Sequence, residues 1–135
     1  MACNNAESQS TQDIQENQND TTGLVQPVIP SYTEMKQQVN KRFQWMLSEG
    51  IVTRNAYNLF TKTMLNDIAF CEKATDKDNT VVKNKLLKSL SILSRNELET
   101  EDREAVAEWY YMLSFKTKVD IKKDLNKWLY PFLEN

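Results

Sequence analysis

From residue 31 onward, apolar residues recur at three- and four-residue spacing, the signature of helices with one buried face. Tyr32, Met35, Val39, Phe43, Met46 and Leu47 form the first such stripe. Ser31-Tyr32-Thr33-Glu34 is a capping box that starts this helix, and Gly50 supplies the left-handed residue that ends it. Thr53 is the cap of a second helix, with Val52 placed to staple onto Tyr57. Tyr57, Phe60, Met64, Ile68 and Cys71 make its stripe, while Leu59 and Phe70 lie off it. A helix apolar on two sides is expected at the centre of a bundle.

Residues 75–79 form a polar turn, after which Val82, Leu86, Leu87, Leu90 and Leu93 predict a third helix with Lys83, Lys85 and Lys88 on its wet side. The pattern breaks between Ser94 and Thr100. Glu101, Asp102 and Glu104 then sit where a helix N-terminus favours acids. Val106, Trp109, Tyr110 and Leu113 continue that fourth helix inward. Ile121, Leu125, Trp128, Leu129 and Phe132 mark a fifth stripe, with Asp120 as a cap and Pro131 near its end. Residues 115–119 break phase without Gly or Pro, so periodicity leaves open whether the last two helices are one bent rod. Two Gly and three Pro supply too few turns for a sandwich or a doubly wound sheet. The expected fold is all-α: a compact bundle of four to five antiparallel helices over residues 31–135, because short loops make sequential helices neighbours.

Residues 1–30 have a different composition, rich in Asn, Gln, Ser and Thr and without an aromatic. Such a segment buries too little apolar surface to offset its ordering entropy, and it is read as a disordered tether. Leu24 to Pro30 forms an extended connector that ends at the domain boundary. Of the 19 acids, Glu7, Asp13, Glu16 and Asp20 lie in this stretch, whereas all 17 basic residues follow it. The tether is therefore −4 and the remainder +2, too little positive charge to predict nucleic-acid binding.

Met1-Ala2-Cys3-Asn4-Asn5 resembles the junction of a bacterial lipoprotein, where a small residue precedes a Cys that is lipidated and becomes the mature N-terminus ahead of a polar tether. The resemblance implies a lipid on Cys3, an envelope location facing the periplasm, and an apolar signal segment that has been cut away or lies upstream of an internal Met. The other reading is a cytoplasmic protein in which Cys3 is incidental. Membrane attachment is expected only through the lipid, since no stretch approaches the roughly 20 apolar residues of a span. The runs Met64-Leu65-Asn66-Asp67-Ile68, Glu108-Trp109-Tyr110-Tyr111 and Leu125-Asn126-Lys127-Trp128-Leu129-Tyr130 resemble small helical bacterial proteins grouped as a domain family of unknown function. That resemblance implies a helical fold and a bacterial source over about residues 31–130 and carries no activity.

Candidate chemistry is sparse. Without His, every His-dependent triad and every His-containing zinc site is excluded, and two Cys cannot build a Cys₄ site. Asp76-Lys77-Asp78-Asn79 superficially resembles a calcium loop, but Val81 and Leu87 stand where Gly and Glu are required. Glu97, Glu99, Glu101, Asp102, Glu104 and Glu108 offer paired carboxylates for acid and base work, or simply a solvated helix start. Lys116, Lys118, Lys122, Lys123 and Lys127 are diluted by Asp120 and Asp124, as on an ordinary charged face. Cys71 falls on an apolar stripe and is read as a small buried hydrophobe. A bond to Cys3 is open in an oxidising compartment and excluded if Cys3 carries lipid.

Trp45, nearly opposite the first stripe on a helical wheel, is either packed by another helix or a partner anchor, and Phe70 and Tyr111 are similar cases. These three are the candidate partner-binding residues. No catalytic, cofactor or metal residue is expected. The functional expectation is a non-catalytic, lipid-anchored envelope protein whose bundle binds a protein partner, as an inhibitor or interaction module. The alternatives are a cytoplasmic regulatory or structural domain and an enzyme using carboxylates alone.

Overall fold

The computed structural model describes residues 28–133. The tether reading of residues 1–27 and the lipid site at Cys3 lie outside the described residues. Five helices follow in order: α1 (Tyr32–Ser48), α2 (Arg54–Lys73), α3 (Asn79–Ile92), α4 (Thr100–Thr117) and α5 (Lys122–Leu129), with 3₁₀ turns at Asp76–Asp78, Arg95–Glu97 and Pro131–Leu133. The described residues contain no strand.

Local chemistry sets the boundaries. The Ser31 amide donates to Glu34 at 2.9 Å and the Glu34 amide donates to the Ser31 hydroxyl at 3.1 Å, closing the capping box of α1. At its other end Gly50 has φ +72°, the Ile51 amide donates to the Met46 carbonyl and the Gly50 amide to that of Leu47, the paired bonds of a Schellman motif. Thr53 accepts from the Ala56 amide at 3.1 Å to start α2. A second Schellman motif ends α4, with Val119 bonded to Ser114 and Lys118 to Phe115. Its left-handed residue is Lys118, at φ 61°. The chain therefore breaks between α4 and α5 without Gly or Pro, and the Asp120 carboxylate accepts the Lys122 amide at 3.0 Å as α5 begins.

The chain reverses at each connection. Lys36 near the start of α1 pairs with Glu72 near the end of α2, Lys85 of α3 reaches Asp67 of α2, and Trp128 of α5 donates to the Leu93 carbonyl beyond α3. α1 also runs antiparallel to α4, since Pro30, Gln38 and Arg42 bond to Lys116, Trp109 and Asp102 in turn. The core lies between these helices, with Phe43 stacked on Phe60 at 5.6 Å and Tyr110, Met64, Leu86 and Ile121 fully enclosed. Ile29 and Pro30 are half-buried at the bundle's edge while Val28 is exposed.

Two expectations need correction. Lys85 is not on the wet side of α3: its long side chain turns inward to a buried acid. Phe132 does not continue the α5 stripe, because the helix stops at Leu129 and leaves the ring 74% exposed, edge-on to Tyr130.

Candidate functional site

Two places hold side chains in arrangements that packing alone does not account for. The first is internal. Asp67 falls within the apolar stripe of α2, three residues after Met64 and four before Cys71, and has no solvent exposure. Its Oδ2 accepts the Tyr110 hydroxyl at 2.6 Å. Its Oδ1 has Lys85 Nζ at 3.1 Å as counter-charge but no hydrogen bond, so the carboxylate is neutralised without being fully satisfied. Burial raises the Tyr110 hydroxyl well above its usual range, the Asp67 charge and hydrogen bond add to it, and Ser89 partly opposes them. The neighbouring Cys71 thiol is free and buried. Burial first, and the Asp67 charge second, push it up to about 12, against a smaller opposing effect of Lys85. A thiol so far from ionisation is no nucleophile at neutral pH. The cluster is a polar fastening among α2, α3 and α4.

The second place is the outward face of α4. Glu101, Glu104, Glu108, Tyr111 and Phe115 follow one another at three- and four-residue spacing, and all five are exposed. The inward face carries Val106, Trp109, Tyr110 and Leu113. Apolar side chains on both sides leave α4 with little amphipathic asymmetry, a pattern usual for a helix covered all round. Among the described residues nothing covers this outer face: Tyr111 is 46% and Phe115 58% exposed. Beside it, α4 and α5 enclose a groove of about 350 Å³ with Ala107, Leu125 and Leu129 as its apolar wall, Tyr111 at its side, and Glu104 and Glu108 facing Lys122. Tyr130 donates to Glu104 at 3.1 Å, a bond that raises its own hydroxyl.

The three aromatic candidates are not brought together. Trp45 is 53% exposed, one turn beyond Arg42 and two beyond Gln38 on the flank of α1 that faces α4. Phe70 is half-buried against the core near the opposite end of the bundle, with Lys85 Nζ 5.5 Å from its ring centre. Tyr111 lines the α4–α5 groove. The acidic candidates also divide: Asp102 is buried and accepts Arg42 at 2.7 Å, a structural role, while Glu101, Glu104 and Glu108 stay outside. No group of acids or Cys among the described residues is arranged to hold a metal ion, and no described helix is long and apolar enough to cross a membrane. Comparison with known proteins found no matching family model, no matching curated protein and no matching solved structure.

Asp67, and the continuation of the acidic and Tyr111 candidates into Phe115 as one exposed α4 face, were not foreseen from the sequence. Asp67 carried a signal, an acid at the helical spacing of buried residues. The α4 face carried one too, because Tyr111 and Phe115 are four residues apart, but only exposure separates a surface pair from a core pair.

Proposed function

We propose that this protein is a non-catalytic binding module, held at the bacterial envelope by a lipid on Cys3, whose α4 face and α4–α5 groove take a basic amphipathic segment of a protein partner. One observation carries the partner reading: an exposed helix face on which three carboxylates lead into two aromatics beside an apolar groove. Aromatic anchors next to a groove are the usual energetic centre of an interface, and acids alongside select a partner of opposite sign. The partner segment that fits is a helix or extended strip with apolar anchors for the groove and Lys or Arg for Glu101, Glu104 and Glu108. The chain's own first 30 residues, with four acids and no base, have the wrong charge for that role. Envelope anchoring rests on the Met1-Ala2-Cys3 resemblance and the polar composition that follows it.

The test of the surface is titration of ¹⁵N-labelled full chain with two synthetic amphipathic helices of identical apolar pattern, one with Lys and one with Glu at the polar positions. Saturable shifts confined to α4 and α5 with the Lys peptide alone, lost in Tyr111→Ser/Phe115→Ser, are expected. Equal response to both peptides, or shifts centred elsewhere, would contradict the proposal. For anchoring, the mass of the N-terminal peptide from protein made from its native locus is expected to show an acyl adduct on Cys3. An unmodified terminus in the soluble fraction would overturn that half.

A further inference from the structure

The α2–α3 side of the molecule carries a second groove, of about 430 Å³, that shares no lining residue with the α4–α5 groove. α2 and α3 are antiparallel, and the pairing of Lys85 with Asp67 fixes their register. One turn along, that register sets Lys62 and Thr63 of α2 opposite Lys88 and Ser89 of α3, and all four line the groove together with Lys85 and Asn66. Leu59 and Ile92 close one end with apolar surface. The charge is one-sided. No acid lines the groove, the buried Asp67 is paired with Lys85, and among the described residues neither Lys62 nor Lys88 has an acidic partner within ion-pair distance.

We infer that this groove is a binding site for a phosphate-class anion carried on a small apolar group, with Lys62 and Lys88 as its charge contacts and Thr63 and Asn66 as neutral donors. Two ammonium groups placed on facing helices with no counter-charge repel each other, and an anion between them removes that repulsion while gaining charge-assisted hydrogen bonds. A volume of about 430 Å³ suits a small organic anion. The apolar end favours a ligand with a hydrocarbon part over a bare ion. Nucleic acid fits poorly, since two unpaired lysines neutralise too few phosphates to hold a strand.

The test is a low-salt titration of the full chain with phenyl phosphate, read by backbone amide shifts and calorimetry. Saturable shifts confined to residues 59–66 and 85–92 are expected, with affinity falling about tenfold or more in Lys62→Gln/Lys88→Gln. A control, Lys123→Gln/Lys127→Gln, changes two exposed lysines on α5 and is expected to bind as the native protein does. Sedimentation with phosphatidylglycerol–phosphatidylcholine vesicles separates the two sources of the same chemistry. Vesicle binding abolished by Lys62→Gln/Lys88→Gln assigns the anion to a lipid headgroup; phenyl phosphate binding without vesicle binding assigns it to a soluble ester. Absence of saturable phenyl phosphate binding, or equal loss in both double variants, would overturn the inference.

Discussion

At the scale of single residues, the buried polar cluster makes the sharpest statements. Tyr110→Phe removes the one hydrogen-bond donor to Asp67 Oδ2 among the described residues and leaves a fully buried carboxylate less satisfied. A loss of about 1–3 kcal/mol in denaturant unfolding is expected, with the helical circular-dichroism spectrum retained. Cys71 is expected to resist iodoacetamide at pH 8 in the folded protein and to react once the chain is unfolded. Its pKa of about 12 in the fold stands above the ordinary 9.0, so the unfolded chain releases this proton first. The associated stability is fully present below pH 9 and is lost as pH rises toward 12. Tyr32 and Tyr110 are raised in the same direction, and they steepen the same alkaline limb. A Cys71→Ala variant is expected to lose less stability between pH 9 and pH 11 than the native chain. An unchanged slope would show that the thiol does not titrate with folding. Asp67 was open to detection in the sequence as an acid inside an apolar stripe. Lys85 was not, because spacing locates the base of a side chain and a lysine spans the distance from surface to interior.

At the scale of elements, capping residues and periodicity made most of the helix boundaries readable. Ser31, Glu34, Gly50 and Thr53 each act through the bond that their position on the chain predicts. The α4–α5 junction was unreadable because its left-handed residue is Lys118, a type that gives no turn signal. A non-glycine residue in that conformation carries a cost of about 1–2 kcal/mol. Its ion pair with Asp76, 3.7 Å long and mostly exposed, returns little. Lys118→Gly is therefore expected to raise stability by about 1 kcal/mol, read as a higher denaturant midpoint at unchanged slope. A fall in the midpoint would mean that the lysine side chain matters more than its backbone strain. The break between Ser94 and Thr100 was readable, but the bonds that hold the α3–α4 connection were not. Arg103 bonds the Leu98 and Arg95 carbonyls and the Thr100 hydroxyl, and Arg95 bonds the Leu129 carbonyl, so two side chains hold the turn through backbone groups that no motif announces.

At the scale of the whole molecule, five antiparallel helices form a bundle, and two of the grooves among the described residues are of opposite character. One, between α4 and α5, is apolar with two carboxylates facing one lysine; the other, between α2 and α3, is lined by three lysines. Composition foretold the all-helical class, since so few Gly and Pro leave no other economical chain path. It could not foretell the grooves, because they depend on the register between helices. The same limit explains why Trp45, Phe70 and Tyr111 looked alike on helical wheels yet differ in place and exposure. The proposed docking of a partner on the α4 face is open to a direct test. The most direct measurement places a photo-crosslinking amino acid at position 111 in the full chain, made from its native locus, with position 83 on the exposed side of α3 as control. One discrete adduct from position 111 and none from position 83 are expected, with the crosslinked partner peptide rich in Lys or Arg beside apolar residues. No adduct at position 111, equal adducts at both positions, or a crosslinked peptide that is acidic would contradict it.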